Sequence, residues 1–553
     1  MVVVTLPRMW PTVRQNKSLL SSSSSRCPMP STCLSYRTRV RSGRFAVSAV
    51  LYSDAQVNHS TKFVATSKRE NLTPLYECIY ADQLTPVLAH RCLVDENDSE
   101  TPSFLFESVQ SEMETSTMGR YSVVGANPAM EIIVKGNSVT VINHLEGWRT
   151  EEHSEEPMVI ARRIAEKFRP QPLDELSEVF CGGFVGYFSY DTVRNAASRL
   201  TFSSAPVDDA NVPDVYLALF DDVLVFDHIE KKIYVIHWAQ LDRFPSTKEA
   251  LDNGADRLQS LLSKVYDVVN PRLPAGTVEP NVQKRRPKAE LLSIESETYK
   301  KAILKAKQHI VDGNIQQLAL SQRFLRKTSS HPFDVYRTLG VVNPSPFMAY
   351  LQVRGAILVA SSHETLTHVE PKKKTVNGFH ADCGNTVGRL ENDVLRNQFI
   401  NVQKHYTEQI MLAHMTNAAA RKGNDVGSTC WDALQSALPT EAVTGTPKIK
   451  AIKLIDDLEL NKRGLYGGSI GSISFSGNMN VALSPKTIVF PTNNKQANLS
   501  SYENSYNRRE WIAQIQVGST IVADSDPRDV VRACRNEADI VARAIDLAES
   551  SFH

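Results

Sequence analysis

The sequence predicts an α+β fold built on large antiparallel sheets. Three observations carry that expectation. Residues 71–269 read as a succession of short strands, such as 138–142 (SVTVI), which alternates in polarity and stops at Asn143. Residues 223–226 (VLVF) and 233–236 (IYVI) flank Glu230, Lys231 and Lys232, the pattern of a hairpin. From Ser293 onward helical and strand patterns mix, with no internal repeat.

The elements follow in order. The first fifty residues carry Arg8, Arg14, Lys17, Arg26, Arg37, Arg39, Arg41 and Arg44, a serine run from Ser21 to Ser25, and no acid before Asp54. An arginine-rich, serine-rich, acid-poor leader predicts an organelle transit peptide over 1–53, disordered before import. A basic tail with no address is the competing reading. The N-terminal half then spans 71–269. Proline and polar residues dominate 271–287, which predicts a connector over 270–292. The second half spans 293–549. Residues 298–311 predict a helix ending near Gly313, and 356–360 (AILVA) a strand. Pro447 can open a helix and Gly464 can close one, with Ile449, Ile452, Ile455 and Leu458 between them at helical spacing. Residues 538–548 predict a last helix.

Bulk properties exclude several classes. The 553 residues include 62 basic and 61 acidic ones, so charge gives no reason to expect nucleic acid or a membrane surface as partner. No run of 18 apolar residues predicts a membrane span. The eight cysteines form no CxxC pair, which argues against a disulfide scaffold and a cysteine zinc site. P-loop, dinucleotide and HExxH motifs are absent.

Specific function comes from resemblance. Residues 102–108 (PSFLFES), 182–191 (GGFVGYFSYD), 320–324 (LSQRF), 343–348 (NPSPFM), 508–513 (RREWIA), 515–518 and 521–527 with 542–549 carry it. Together they resemble component I of plant anthranilate synthase, over roughly 71–549. That family converts chorismate and ammonia to anthranilate and pyruvate. The resemblance implies two large antiparallel sheets packed together, one from each half, with outer helices. It also implies a chloroplast location, a glutaminase (beta) subunit that delivers ammonia, a magnesium ion, and feedback inhibition by tryptophan.

Residue by residue, the resemblance implies the following roles. Glu364, in Ser361-Ser362-His363-Glu364, is the general acid that protonates the departing ring hydroxyl. Glu408 is a magnesium ligand. Gln317, Gly445, Tyr466, Gly468, Lys486 and Gly518 contact substrate. Chorismate is a dicarboxylate, so its site needs cations or backbone N–H groups, and a loop before a helix opened by Pro447 suits an anion. Leu105, Glu107 and Ser108 form one wall of the tryptophan site, and Asn343, Pro344, Ser345, Pro346 and Met348 the other. A glutamate there has a physical reason, since it can pair with an α-amino group.

The chain also departs from the pattern. Val530 and Ala533 stand where two magnesium glutamates are expected, and Glu537 where a lysine is expected. Lys486 replaces an arginine, which keeps the charge but loses the bidentate fork. A family segment with a catalytic histidine is skipped between Thr416 and Thr429. These departures predict little or no anthranilate synthase activity. A catalytically silent paralogue that binds tryptophan or the glutaminase subunit is the alternative. Lysines that mark aminodeoxychorismate and isochorismate synthases, at the positions of Ala381 and Gln317, are absent.

Overall fold

The computed structural model describes residues 70–95, 98–108, 119–176, 179–196, 206–208, 211–266, 273, 276–277, 292–293, 296–363, 365–370, 375–378, 429–484, 486–492 and 510–552. All belong to one compact unit, 63–553.

The first half supplies β1 (Leu72–Tyr80), α1 (Pro86–Leu93), β2 (Ser103–Glu107), β3 (Tyr121–Ala126), β4 (Met130–Lys135), β5 (Ser138–Asn143), β6 (Trp148–His153) and α2 (Pro157–Ala165). It continues with β7 (Gly183–Phe188), α3 (Val193–Ala196), β8 (Val215–Phe220), β9 (Asp222–Asp227), β10 (Lys232–Gln240) and α4 (Thr247–Tyr266). The second half supplies β11 (Leu292–Ser293), α5 (Ser296–Val311), β12 (Gln317–Thr328), α6 (Pro332–Val342), β13 (Phe347–Val353), β14 (Ala356–Ser362), β15 (Thr365–Glu370) and β16 (Thr375–Gly378). It ends with α7 (Cys430–Ala437), β17 (Gly445–Thr446), α8 (Lys448–Leu458), β18 (Ser469–Ser474), β19 (Met479–Leu483), β20 (Thr487–Pro491), β21 (Trp511–Ile521) and α9 (Pro527–Ser551).

The expected α+β class with two large antiparallel sheets is what these elements form. One sheet runs β1-β10-β9-β3-β2-β13-β14-β20-β21-β12-β11, with β17 paired to β12. The other runs β16-β15-β19-β18-β7-β8-β4-β5-β6. The expectation of one sheet per half is overturned. β2 pairs with β13 and β7 pairs with β18, so each sheet is half from one part of the sequence and half from the other. The reason lies in strand edges. Cut at either junction, each sheet would expose a long apolar edge, whereas joining the halves buries it.

Three cores give four layers. Phe104, Val185, Tyr187, Tyr216, Ile236 and Leu358 fill the space between the sheets. The outer face of the first sheet packs α1, α4, α5, α6, α8 and α9 over residues such as Leu224, Phe324, Ile357 and Ile515. The outer face of the second packs α2 and α7 over Ile132, Phe184 and Leu217. Strict alternation sorts the residues of β21. Trp511, Ala513, Ile515 and Val517 turn to the helices, and Gln514, Gln516 and Gly518 turn to the other sheet.

The hairpin expected around Glu230 to Lys232 forms, and Lys231 takes a left-handed φ of 57° in its turn. The expected helix at 298–311 becomes α5, and Gly313 adopts φ 74° beyond its end. The helix opened by Pro447 stops at Leu458, six residues short of Gly464, because the chain turns extended at Glu459 to place its carboxylate at the edge of β12. Helices α1, α2 and α4 of the first half were not legible among its strands, although Pro86 and Pro157 open two of them.

Candidate active site

The site expected from sequence gathers at one end of the first sheet. β14, β20, β21, β12 and β17 lie side by side there. Gln317 opens β12 and pairs in register with Thr446, while Leu318 pairs with Gly445. The pairing demands glycine at 445. Its φ is +137°, and a Cβ there would lie 2.2 Å from the Gln317 carbonyl oxygen. Gly518, on β21, lies opposite Ser321 of β12. A Cβ on Gly518 would meet the Tyr466 hydroxyl at 2.2 Å, so the tyrosine ring closes directly over this strand. Gly468 is pressed against Ser189 and the Phe188 carbonyl, and its own carbonyl accepts a hydrogen bond from Ser484 N–H at 3.0 Å. Lys486 directly precedes β20, and its carbonyl accepts from Ser361 N–H at 3.2 Å. The structure therefore brings Gln317, Gly445 and Gly518 onto neighbouring strands of the first sheet, with Lys486 in the turn into β20 and Tyr466 and Gly468 in the turn that leads into β18 of the second sheet. Glu364 and Glu408 lie outside the described residues.

Arg463 is the side chain that holds this cluster, and the motif reading missed it. The guanidinium donates to Val443 O and, at 2.7 Å, to Ala319 O. It also makes a two-point pair with Glu459, at 2.8 and 2.6 Å. It lies over the rings of Tyr190, at 4.6 Å, and Tyr466, at 5.5 Å. Glu459 in turn accepts from Ser321 N–H at 2.7 Å, and Gln516 donates to the Ser321 hydroxyl at 2.8 Å. One buried cation thus ties the loop before Gly445, the strand of Gln317 and the ring of Tyr466 together. Burial opposes its charge, but the adjacent Glu459 more than compensates and holds Arg463 firmly protonated. A second pair clamps the neighbouring turn: Arg194 forks onto Asp456 at 2.6 and 2.7 Å, and Asp191 accepts from Gly464 N–H at 2.9 Å. The signal available in sequence was the four-residue spacing of Glu459 and Arg463 just after an apolar helix. Tyr466, Arg463, Ser484, Thr487, Gln514 and Gln516 line a cavity between the sheets.

The described residues do not fit a magnesium ion. Val530 is buried in the core under α9, Ala533 carries only a methyl group, and neither offers oxygen to a hard cation. Glu537, two turns along α9 from Val530, is engaged by Lys486, with Glu537 Oε2 3.0 Å from Lys486 Nζ. That approach is an ion pair out of line for a hydrogen bond. Among the described residues no three His, Cys, Asp or Glu side chains are placed to hold a metal.

The residues expected to bind tryptophan also meet. Met348 of β13 lies in register with Glu107 of β2. Leu105 is fully buried, and Ser108 accepts from Gly119 N–H at 2.9 Å. Asn343 donates to the Ser361 hydroxyl at 2.9 Å, and Ser345 donates to Phe347 O at 3.0 Å. Pro344 is exposed and Pro346 half-buried beside them. Glu107 itself receives the Tyr336 hydroxyl at 2.5 Å, and burial raises its carboxyl above the ordinary range.

This fold and site define a chorismate-binding enzyme: the model of that family matches residues 102–422 and 417–534, and the chain belongs to it. The relatives narrow the class. The chain is 47% identical to the chloroplastic anthranilate synthase alpha subunit 2 of Arabidopsis thaliana, covering 90% of this chain and 85% of the relative. It is 44% identical to the chloroplastic alpha subunit 1 of Oryza sativa subsp. indica, covering 93% and 96%. Component 1 of anthranilate synthase from Acetivibrio thermocellus is 30% identical, over 87% and 97%. The crystal structure of anthranilate synthase component I from Streptococcus pneumoniae TIGR4 shares the fold, with a TM-score of 0.53 at 22% identity, covering 84% of this chain and 99% of that one.

Proposed function

We propose that this chain is the chorismate-processing subunit of a plastid anthranilate synthase, forming anthranilate, pyruvate and water from chorismate and ammonia. The observation that carries this reading is 47% identity over 90% of the chain, with all the expected substrate-contacting residues among those described gathered at one sheet end. Lys486 supplies a point charge for one substrate carboxylate. The tightly apposed backbone at Gly445 and Gly518 lets the main chain approach the ring. Tyr466, held by Arg463, closes the site against water. Glu364 gives the proton that lets the ring hydroxyl leave as water, and a further proton transfer accompanies loss of pyruvate.

A glutaminase subunit supplies ammonia, tryptophan binds between β2 and the turn before β13, and residues 1–53 direct import. Magnesium belongs to this reading through Glu408 alone. Turnover is low, because removing one well-placed electrostatic partner costs about 10²–10³ in rate and both Val530 and Ala533 lack one. Alignment with the Arabidopsis relative spans 530 positions but uses only 90% of these 553 residues. The relative therefore carries internal stretches that this chain lacks. The gap expected between Thr416 and Thr429 lies outside the described residues.

The test is product identity. Incubated with chorismate, magnesium and excess ammonia, the full chain is expected to release fluorescent anthranilate slowly. Release of isochorismate or aminodeoxychorismate instead overturns the assignment.

A further inference from the structure

The cation expected to receive a substrate carboxylate already has a carboxylate on it. Lys486 Nζ lies 3.0 Å from Glu537 Oε2. Two elements that meet at the site make the pair: Lys486 from the turn into β20, Glu537 from the outer helix α9. The lysine side chain is 25% exposed and the glutamate 42%, while the Glu537 Oε2 that faces the lysine is itself buried, so the pair is only partly screened. Val530, Ala533 and Glu537 succeed one another at helical spacing, and Glu537 is the one of the three with a charge.

We propose that Glu537 is an internal competitor for the substrate carboxylate: it neutralises Lys486 and lowers the affinity of the site for dicarboxylate ligands. The inference rests on the reading of Lys486 as a substrate contact. Its physical basis is like-charge repulsion. A ligand carboxylate that reaches Lys486 must either displace Glu537 or sit beside it, and both weaken binding. Glu537 acts through Lys486, so its role is positional rather than catalytic. The consequence is a site whose affinity is set by which partner the lysine holds.

The experiment is calorimetric titration of chorismate into the full chain and three variants at low ionic strength: Glu537→Gln, Lys486→Gln and the double variant. Glu537→Gln is expected to tighten chorismate binding by about tenfold, the scale of a surface-to-half-buried charge effect. In the Lys486→Gln background the same change is expected to do nothing. General destabilisation cannot produce a gain in affinity, so this outcome separates the proposal from a structural role. Binding by the natural chain with no gain in Glu537→Gln overturns the proposal alone. A gain that survives in the double variant overturns it too, since the effect then bypasses Lys486. No binding by any of the four folded proteins at millimolar chorismate overturns the underlying site reading, and the proposal with it.

Discussion

Glu107 shows how a single residue can match a motif and still hold a surprise. Its place in the matched segment 102–108 was legible in sequence, and the resemblance implies a ligand amino group as its partner. The hydroxyl of Tyr336, 229 residues away, was not, because no local pattern reports a contact between β2 and α6. Burial raises the Glu107 carboxyl above its unfolded value, and the Tyr336 hydrogen bond only partly offsets this. The sign follows. A raised group favours its protonated form in the folded state, so its stabilisation is complete below the ordinary carboxylate range and is lost as pH rises through the folded value. Glu107→Gln is therefore expected to raise the unfolding temperature at pH 7.5 and to change it less at pH 4.5. An equal shift at both values would contradict the burial argument. The same variant is expected to bind tryptophan at least tenfold more weakly, because the neutral amide cannot pair with an α-amino group. Unchanged affinity in calorimetry would remove Glu107 from that site.

At the scale of elements, periodicity found several strands and three helices of the second half, missed the long α4 of the first, and misjudged where α8 stops. α8 ends at Leu458 because Glu459 is drawn out to satisfy Ser321 N–H and Arg463, a tertiary demand that Gly464 could not announce. β17 is two residues long and has no sequence signal of its own, yet it fixes Gly445 against Gln317. Gly445→Ala is expected to cost about 2–4 kcal/mol in urea unfolding, since the added methyl meets backbone that cannot move and φ is positive. Gly136→Ala also has positive φ, 57°, but meets nothing within 4 Å, and is expected to cost about 1 kcal/mol. Similar costs for the two would mean that the β12–β17 contact is not what constrains the loop.

For the whole molecule, the class of fold was legible and the connectivity was not. Alternation marks which face of a strand is buried, but it carries no information about which strand lies beside it. Each sheet is completed by strands from both halves, through β2–β13 and β7–β18. Buried Glu131 of β4 adds a polar tie between them. It receives Arg354 through two nitrogens at 2.7–3.0 Å, Tyr216 at 2.7 Å and His144 at 2.6 Å. Residues 70–270 and 292–552 expressed separately are therefore expected to remain unfolded by circular dichroism. A cooperative thermal transition in either fragment alone would contradict the interleaved architecture. The candidate site was legible because its residues sit in matched motifs. Its scaffold, Arg463 with Glu459 and Ser321, was not, because those contacts exist only once β12 and the turn after α8 are side by side.

The central claim is that this chain has the site of an anthranilate synthase and that Val530 and Ala533 hold its turnover down. The most direct measurement is anthranilate fluorescence from chorismate, magnesium and excess ammonia. The natural chain is compared with the Val530→Glu/Ala533→Glu double variant, and both are shown folded by circular dichroism. The expected result is slow release by the natural chain and a rate about 10²-fold higher, magnesium-dependent, in the variant. A natural chain as fast as the Arabidopsis alpha subunit 2 measured alongside, or a folded variant no faster than its parent, would contradict the account.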